Sequence, residues 1–177
     1  MSGPLPPSEL PRMIKARPLP AEPVLIEASP EELSALAARF GLGAVESLTA
    51  TVALDQRPRA IRATGRLHAK IMQPCAISGE DFPVTIDEPV DLRFVEENQR
   101  APTPDEEIEL EADDCDEIGY AGEMFDLGEA IAQTLGLAID PYAEGPEADT
   151  ARAAAGIVQE GEQLGPLADL LAGLKKD

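Results

Sequence analysis

A regular alternation of residue types between Ile61 and Ile71 constrains the fold more than any other feature of the sequence. Apolar or small residues occupy the odd positions and polar residues the even ones, which is the period of a β-strand with one buried face. The even positions include Arg62, Arg66, His68 and Lys70. The sequence therefore predicts a strand whose exposed face is basic.

This basic stretch lies in an acidic protein. The chain has a formal net charge of −20, yet its fourteen residues from Arg57 to Lys70 contain five cations and no acidic residue. The cations are Arg57, Arg59, Arg62, Arg66 and Lys70. Two interpretations are open. The cations pair with carboxylates across the sheet, for example from an acidic loop folded over them, or they form a site for RNA or for an acidic partner surface.

The composition limits the classes of function. A chain of 177 residues is long enough for one domain with a hydrophobic core. Its six aromatic residues cannot supply a broad platform for stacking bases, and its acidic charge opposes non-specific binding to nucleic acid. RNA contact is therefore expected to be local or made through a basic partner, and DNA is not expected as a partner. No apolar run reaches the roughly 18 residues of a membrane span and no secretory signal is present, so we expect a cytoplasmic protein without membrane contact.

Local signals predict two helices and several strands. Ser29, Pro30 and Glu32 form a capping box that starts a helix ending at Gly41. Asp126 starts a second helix, which must end before Asp140-Pro141. Alternating residues predict a strand over 48–54 joined to the basic strand by a hairpin, and two further strands over 82–86 and 90–94, separated by Asp87-Glu88-Pro89. We therefore predict an α+β domain with an antiparallel, partly closed sheet of four to six strands, covered by two main helices.

The segments outside this domain differ in composition. Seven prolines in residues 1–24 predict a loose N-terminal arm that pairs at most as an edge strand near Val24–Ile26. The domain itself is expected over residues 25–142, with a solvated acidic loop at 98–117. Residues 143–177 are predicted to be a linker followed by a short amphipathic helix that docks or binds a partner. Its apolar side consists of Leu167, Leu170, Leu171 and Leu174.

No motif indicates catalysis or a metal. His68 is the only histidine and no local nucleophile or carboxylate motif accompanies it, so we interpret it as a polar surface residue. Cys75 and Cys115 are not part of a CxxC pair, and we interpret both as structural thiols. The acidic run from Asp105 to Glu117 lacks the glycine and the spacing of a calcium loop. We expect no enzymatic activity, no metal and no cofactor.

Several segments, taken in order, resemble the YceD family of large ribosomal RNA subunit accumulation proteins. The resemblance is carried by residues 26–32, 36–40, 65–70, 73–75, 88–90, 93–94, 125–130, 133–135 and 140–142, with Pro166 to Leu171 similar to a C-terminal signature of one branch. The resemblance implies a small bacterial protein that is needed for accumulation of 23S ribosomal RNA, and thus for assembly or processing of the large subunit, with no known enzymatic activity.

The chain departs from the family at its cysteines. Many relatives carry Cys-x-x-Cys at the position of Cys75 and further cysteines near the end of the domain, which implies a zinc site in those relatives. Here Ser78 occupies the second position, and Asp140-Pro141-Tyr142 offers no thiol. Two distant thiols cannot close a tetrahedral site, so in this branch we expect packing in place of metal.

Two functional hypotheses follow. In the first, the cations from Arg57 to Lys70, together with His68, contact ribosomal RNA on one strand face. In the second, the protein is an adaptor or chaperone that holds a basic partner such as a ribosomal protein, through the acidic loop or the terminal leucine helix, without touching RNA.

Overall fold

The structure is a computed structural model and describes residues 8–97 and 117–157. The elements in chain order are β1 (Met13–Lys15), β2 (Val24–Glu27), α1 (Pro30–Phe40), β3 (Ala44–Gln56), β4 (Ile61–Pro74), β5 (Asp81–Glu96), β6 (Glu117–Tyr120), β7 (Met124–Asp126), α2 (Leu127–Ala138) and α3 (Ala148–Ala154). Within the described residues the chain divides into two compact units. The first comprises residues 8–73, 83–97 and 117–140, and the second residues 74–82 and 141–157.

Five strands form the main sheet in the order β2-β3-β4-β5-β6. Strand β3 is antiparallel to β2 and to β4, whereas β6 runs parallel to β5. Strands β1 and β7 form a separate antiparallel pair. The predicted α+β class and antiparallel sheet are confirmed, and the sheet is open rather than partly closed.

The register of β3 and β4 separates two faces of the sheet. Leu67 pairs with Ala50, and both are buried, whereas Arg66 pairs with Thr51, and both are exposed. The buried positions of β4 are the odd ones predicted from the sequence, and they join the core with apolar residues of β3 and β5. This inner face includes Leu48, Ala50, Val52, Ile61, Ala63, Leu67, Ala69, Ile71, Ile86, Val90 and Phe94.

Helix α1 begins as the sequence predicts. Ser29 accepts a hydrogen bond from the backbone N–H of Glu32, and the Glu32 carboxylate accepts one from the Ser29 N–H, which closes the capping box. The same carboxylate binds Arg12 through two hydrogen bonds of 2.6 and 2.9 Å. These bonds, that from Arg12 above all, lower the pKa of Glu32 to about 2. The cap thereby also fixes the N-terminal arm to the helix.

Helix α2 is also capped as predicted, and the arm contacts its first turn. The Asp126 carboxylate accepts hydrogen bonds from the backbone N–H of Glu129 and from that of Arg12. A Cβ on Gly128 would lie 1.7 Å from the carbonyl oxygen of Leu10, so only glycine permits this approach. The Glu129 side chain binds Arg39 of α1 instead of returning to its own cap.

Strand β5 corrects the prediction of two strands divided by a turn. It runs without a break from Asp81 to Glu96, and the apolar positions keep one parity on both sides of Asp87-Glu88-Pro89, so that Ile86 and Val90 lie on the same buried face. A turn at these residues would have reversed the direction of the chain and interrupted this alternation of buried and exposed positions. Pro89 is tolerated because β6 pairs only with Arg93–Glu96, which leaves β5 as an edge at the proline.

The chain outside the predicted domain also contains structure. The edge strand expected near residues 24–26 is β2, but residues 8–24 differ from a loose arm, since Leu10 is fully buried and β1 pairs with β7. Residues 11–18 place prolines only at their two ends, so the backbone between them is free to pair. Residues 148–154, predicted as linker, form α3. Four of its seven residues are alanine, which favours helix.

Two predicted features lie outside the described residues. They are the acidic loop, of which only Glu117 is described, as the first residue of β6, and the leucine helix with Leu167, Leu170, Leu171 and Leu174. Both remain predictions. In the described parts of the chain, no helix has the length and apolar character needed to cross a membrane.

Candidate nucleic-acid interface

The predicted basic residues of β4 lie on the outer face of the main sheet. Arg62, Arg66, His68 and Lys70 are all exposed there. On one side β3 places Thr51 opposite Arg66 and Thr49 opposite His68. The other neighbour, β5, supplies carboxylates.

Two of the arginines form ion pairs with β5. Arg62 donates two hydrogen bonds to the Asp91 carboxylate, at 2.9 and 2.6 Å. Arg66 donates from Nε to Asp87 Oδ1 at 2.5 Å. Each bond is the main cause that holds the pKa of its aspartate below the usual range. From Arg62 to Arg66 the residue number rises along β4, whereas from Asp91 to Asp87 it falls along β5. This is the order that neighbouring antiparallel strands give.

The remaining predicted site residues differ from one another. His68 Nδ1 lies 3.5 Å from Asp87 Oδ1, the same oxygen that binds Arg66. Arg57 is paired with Asp55 at 2.6 Å. By contrast, no described carboxylate lies within ion-pair distance of Arg59 or Lys70. The basic residues predicted from Arg57 to Lys70 are therefore divided into paired and unpaired cations.

For Arg62 and Arg66, this arrangement agrees with the first interpretation given above, in which the cations pair with carboxylates across the sheet. Their guanidinium groups are neutralised by carboxylates one strand away, although about half of each side chain remains exposed. Pairs with this exposure contribute little to stability because water and salt screen them. Their main effect is on the surface potential, since a phosphate approaching either arginine also meets an aspartate.

Ion pairing extends well beyond the sheet face. The paired arginines of the described residues are Arg12, Arg39, Arg57, Arg62, Arg66, Arg93 and Arg152. Within residues 8–97 and 117–157, the cations without an ion-pair partner are Lys15, Arg17, Arg59 and Lys70. Since the chain has 34 acidic and 14 basic residues, many carboxylates have no cation beside them.

Two of the unpaired cations meet at a cleft in the first unit. Arg17 and Arg59 both line it, together with Tyr120 and Glu96. A second cavity, of about 230 Å³, shares Arg17, Tyr120 and Glu96 with this cleft and is also lined by Glu123. A hydrogen bond of 2.9 Å from the Ala16 N–H to the Glu123 carbonyl oxygen holds Arg17 beside this cavity.

Sequence reasoning named Arg59 but missed the other residues of this cleft. Arg17 lies in the proline-rich arm and Tyr120 follows the acidic segment, so neither stands in a motif. They approach each other because β1 pairs with β7, a contact between residues more than a hundred positions apart. No local pattern signals such a pairing.

Cys75 occupies a turn in the second unit. The thiol is 3% exposed, and its sulfur accepts hydrogen bonds from the backbone N–H groups of Ile77, Ser78 and Gly145 at 3.2–3.4 Å. Hydrogen bonding, first from the Ser78 side chain and then from the Ser78 and Gly145 backbone, lowers the pKa of Cys75 to about 7. The parts of the chain that the structure describes contain no group of three acidic, cysteine or histidine side chains placed to hold a metal ion.

A comparison with models of protein families gives a match. A family model described as large ribosomal RNA subunit accumulation protein YceD matches residues 63–170, which is more than half of the chain. The matched part begins inside β4 and includes β5 and α2. The comparisons with curated proteins and with solved structures gave no match.

Proposed function

This chain belongs to the YceD family of large ribosomal RNA subunit accumulation proteins, and from that membership we propose that it is a non-enzymatic assembly factor which binds a basic partner, such as a ribosomal protein, through its acidic surface. Membership confirms the resemblance drawn from the sequence and ties the protein to the RNA of the large subunit. The proposal adds the mode of action.

The pairing of Arg62 with Asp91 and of Arg66 with Asp87 is the observation that carries this proposal. Two of the three cationic side chains of β4 are thereby paired with carboxylates. The net charge of −20 complements a basic protein and repels bulk RNA. The densest group of acids is the run from Asp105 to Glu117, where nine of thirteen residues are acidic, and we assign the partner contact to this run.

A binding experiment on the full chain tests this assignment. Purified basic proteins of the large subunit are titrated onto the chain after nuclease treatment. In one variant Glu106, Glu107, Glu109 and Glu111 are changed to Gln. We expect this variant to bind the proteins at least about tenfold more weakly, because the opposing charge that attracts them is removed.

A matched variant controls for net charge. It changes Glu22, Glu31, Glu46 and Glu80 to Gln, which are exposed carboxylates without a described ion-pair partner. Its binding should stay close to that of the unchanged chain. Equal weakening in both variants would show a general charge effect without a site, and no binding by the unchanged chain would reject the adaptor role.

Contact between ribosomal RNA and the outer face of β4 is the second candidate. It is supported by the unpaired Lys70 and by the exposure of Arg62 and Arg66. Reversing the charge of either arginine alone would set two carboxylates against each other, so the informative change removes both members of a pair. The combination of Arg62→Gln, Asp91→Asn, Arg66→Gln and Asp87→Asn leaves the net charge unchanged. Reduced association with large-subunit precursors would favour this candidate, whereas unchanged association would reject the face as the RNA site.

A further inference from the structure

The cleft beside β1 differs from the outer face of the sheet in its arginines. Arg17 and Arg59 line it without an ion-pair partner among the described residues, while the arginines of β4 are held by aspartates. A backbone hydrogen bond from the Arg57 N–H to the Ala60 carbonyl oxygen, at 2.8 Å, closes the turn that presents Arg59. Guanidinium groups free to make paired hydrogen bonds are the preferred ligands of phosphate oxygens in proteins.

The carboxylates of the cleft restrict what can accompany a phosphate. Glu96 lines the cleft beside both arginines, and Glu123 lines the larger cavity. Both repel a bare polyanion, yet both accept hydrogen bonds from N–H groups. A nucleotide carries the two features together, because its phosphate suits the arginines and the N–H groups of its base suit a carboxylate.

Tyr120 provides the apolar surface that a base requires. Its ring centroid lies 5.7 Å from that of Phe125, which packs the ring against the core, and the residue is only partly buried. It also lines both the cleft and the second cavity. Unstacked bases of RNA are commonly bound against such aromatic side chains.

The size of the cavity limits the ligand. Its volume of about 230 Å³ is below the roughly 300–1,000 Å³ of pockets that enclose a complete small molecule. One aromatic ring and one pair of arginines likewise suit one nucleotide. The ligand is therefore better matched by a single unit of a longer chain than by a free cofactor.

We propose that this cleft binds one nucleotide of a single-stranded RNA segment, with the phosphate on Arg17 and Arg59 and the base against Tyr120. The choice of RNA rests on the role in large-subunit assembly proposed above, but the site does not require the basic partner. Together the two sites would allow the protein to hold an RNA segment next to a ribosomal protein.

Titration of the full chain with a short fluorescently labelled single-stranded RNA of mixed sequence, followed by anisotropy at low salt, tests the site. Arg17→Gln combined with Arg59→Gln should weaken binding at least about tenfold. Tyr120→Leu should also weaken it, whereas Tyr120→Phe, which keeps the ring, should not. Inorganic polyphosphate, which has no bases, should compete poorly.

The matched control is Lys15→Gln combined with Arg152→Gln, which removes the same charge at positions that do not line the cleft. Its affinity for RNA should stay within about twofold of the unchanged chain. Equal loss in both double variants, effective competition by polyphosphate, or no RNA binding by the unchanged chain would each overturn the proposal. Circular dichroism melting of every variant establishes that it is folded.

The proposed RNA site in the cleft and the proposed protein contact at the acidic run can be tested independently. The Arg17 and Arg59 variant should still bind basic large-subunit proteins, and the variant with Glu106, Glu107, Glu109 and Glu111 changed to Gln should still bind RNA. Loss of RNA binding in that glutamine variant would contradict an independent site in the cleft.

Discussion

At the scale of single residues, Cys75 shows how hydrogen bonds to a thiol can hold a turn. Ser78 stands where the resemblance places a second thiol, and it donates hydrogen bonds to the remaining one. Three backbone N–H groups complete the contacts of the sulfur. The turn is therefore held by hydrogen bonds to sulfur.

These bonds predict an acidic thiol. In a chain carrying Cys115→Ser, the ultraviolet absorbance of the thiolate should titrate with a midpoint of about 7 in the folded protein, and near the usual thiol value in urea. Because the folded pKa lies below the unfolded one, the thiolate stabilises the fold above the unfolded value, and this contribution is lost as the pH falls through 7.

Changing Ser78 to Ala should move the folded midpoint upward, because the Ser78 side chain is the largest cause of the shift. A folded midpoint that stays at the urea value in the chain with Ser78 intact would contradict the hydrogen-bonded geometry.

At the scale of the elements, the close contact of β3 and β4 depends on Gly65. A Cβ at this position would lie 2.0 Å from the carbonyl oxygen of Thr51 and 2.9 Å from the Cα of Val52. Both atoms belong to the backbone of the neighbouring strand, so a side chain cannot move aside to make room.

Gly65→Ala is therefore expected to destabilise the protein by about 3 kcal/mol or more, measured by urea denaturation followed by circular dichroism. Thr64→Ala, one residue away on the outer face, should change the free energy of unfolding by less than about 1 kcal/mol. If the two substitutions were equally mild, the strands could not be packed as closely as described.

The sequence predicts those features of the elements that depend on local chemistry. The caps at Ser29 and Asp126 and the buried parity of β4 follow from hydrogen bonding and strand period, and all are found. The break predicted at Asp87-Glu88-Pro89 is wrong because the parity of the flanking apolar residues continues across these three residues, and burial of that face outweighs their turn composition. That error also concealed the aspartates that pair with Arg62 and Arg66.

For the candidate sites too, the sequence predicts only what depends on residues close together in the chain. The outer face of β4 could be predicted because one strand carries all of its cations. The cleft could not, since Arg17, Arg59 and Tyr120 come from three separate parts of the chain. Only the pairing of distant strands brings them together.

At the scale of the whole molecule, repulsion between unpaired carboxylates opposes the attraction within the ion pairs. The paired groups are mostly on the surface, where each pair is worth about 0–1 kcal/mol, whereas the net charge of −20 acts on the molecule as a whole. We therefore expect repulsion to dominate the response to salt.

Raising sodium chloride from about 0.01 M to 0.15 M shortens the screening length from about 30 Å to about 8 Å. The melting temperature should then rise by about 2–4 °C for each kcal/mol of repulsion that is screened, as followed by differential scanning calorimetry. The variant with Glu22, Glu31, Glu46 and Glu80 changed to Gln should show a smaller rise. A melting temperature that falls with salt would mean that the ion pairs dominate.

The pairing of β1 with β7 affects how the protein folds while it is being synthesised. Residues 13–15 are synthesised more than a hundred residues before their partners at residues 124–126, which form the last of the described strands. Contacts of such long range form slowly and only after the intervening chain is available. The first turn of α2, which packs against Leu10, follows β7 in the chain, so Leu10 stays uncovered until both have been made.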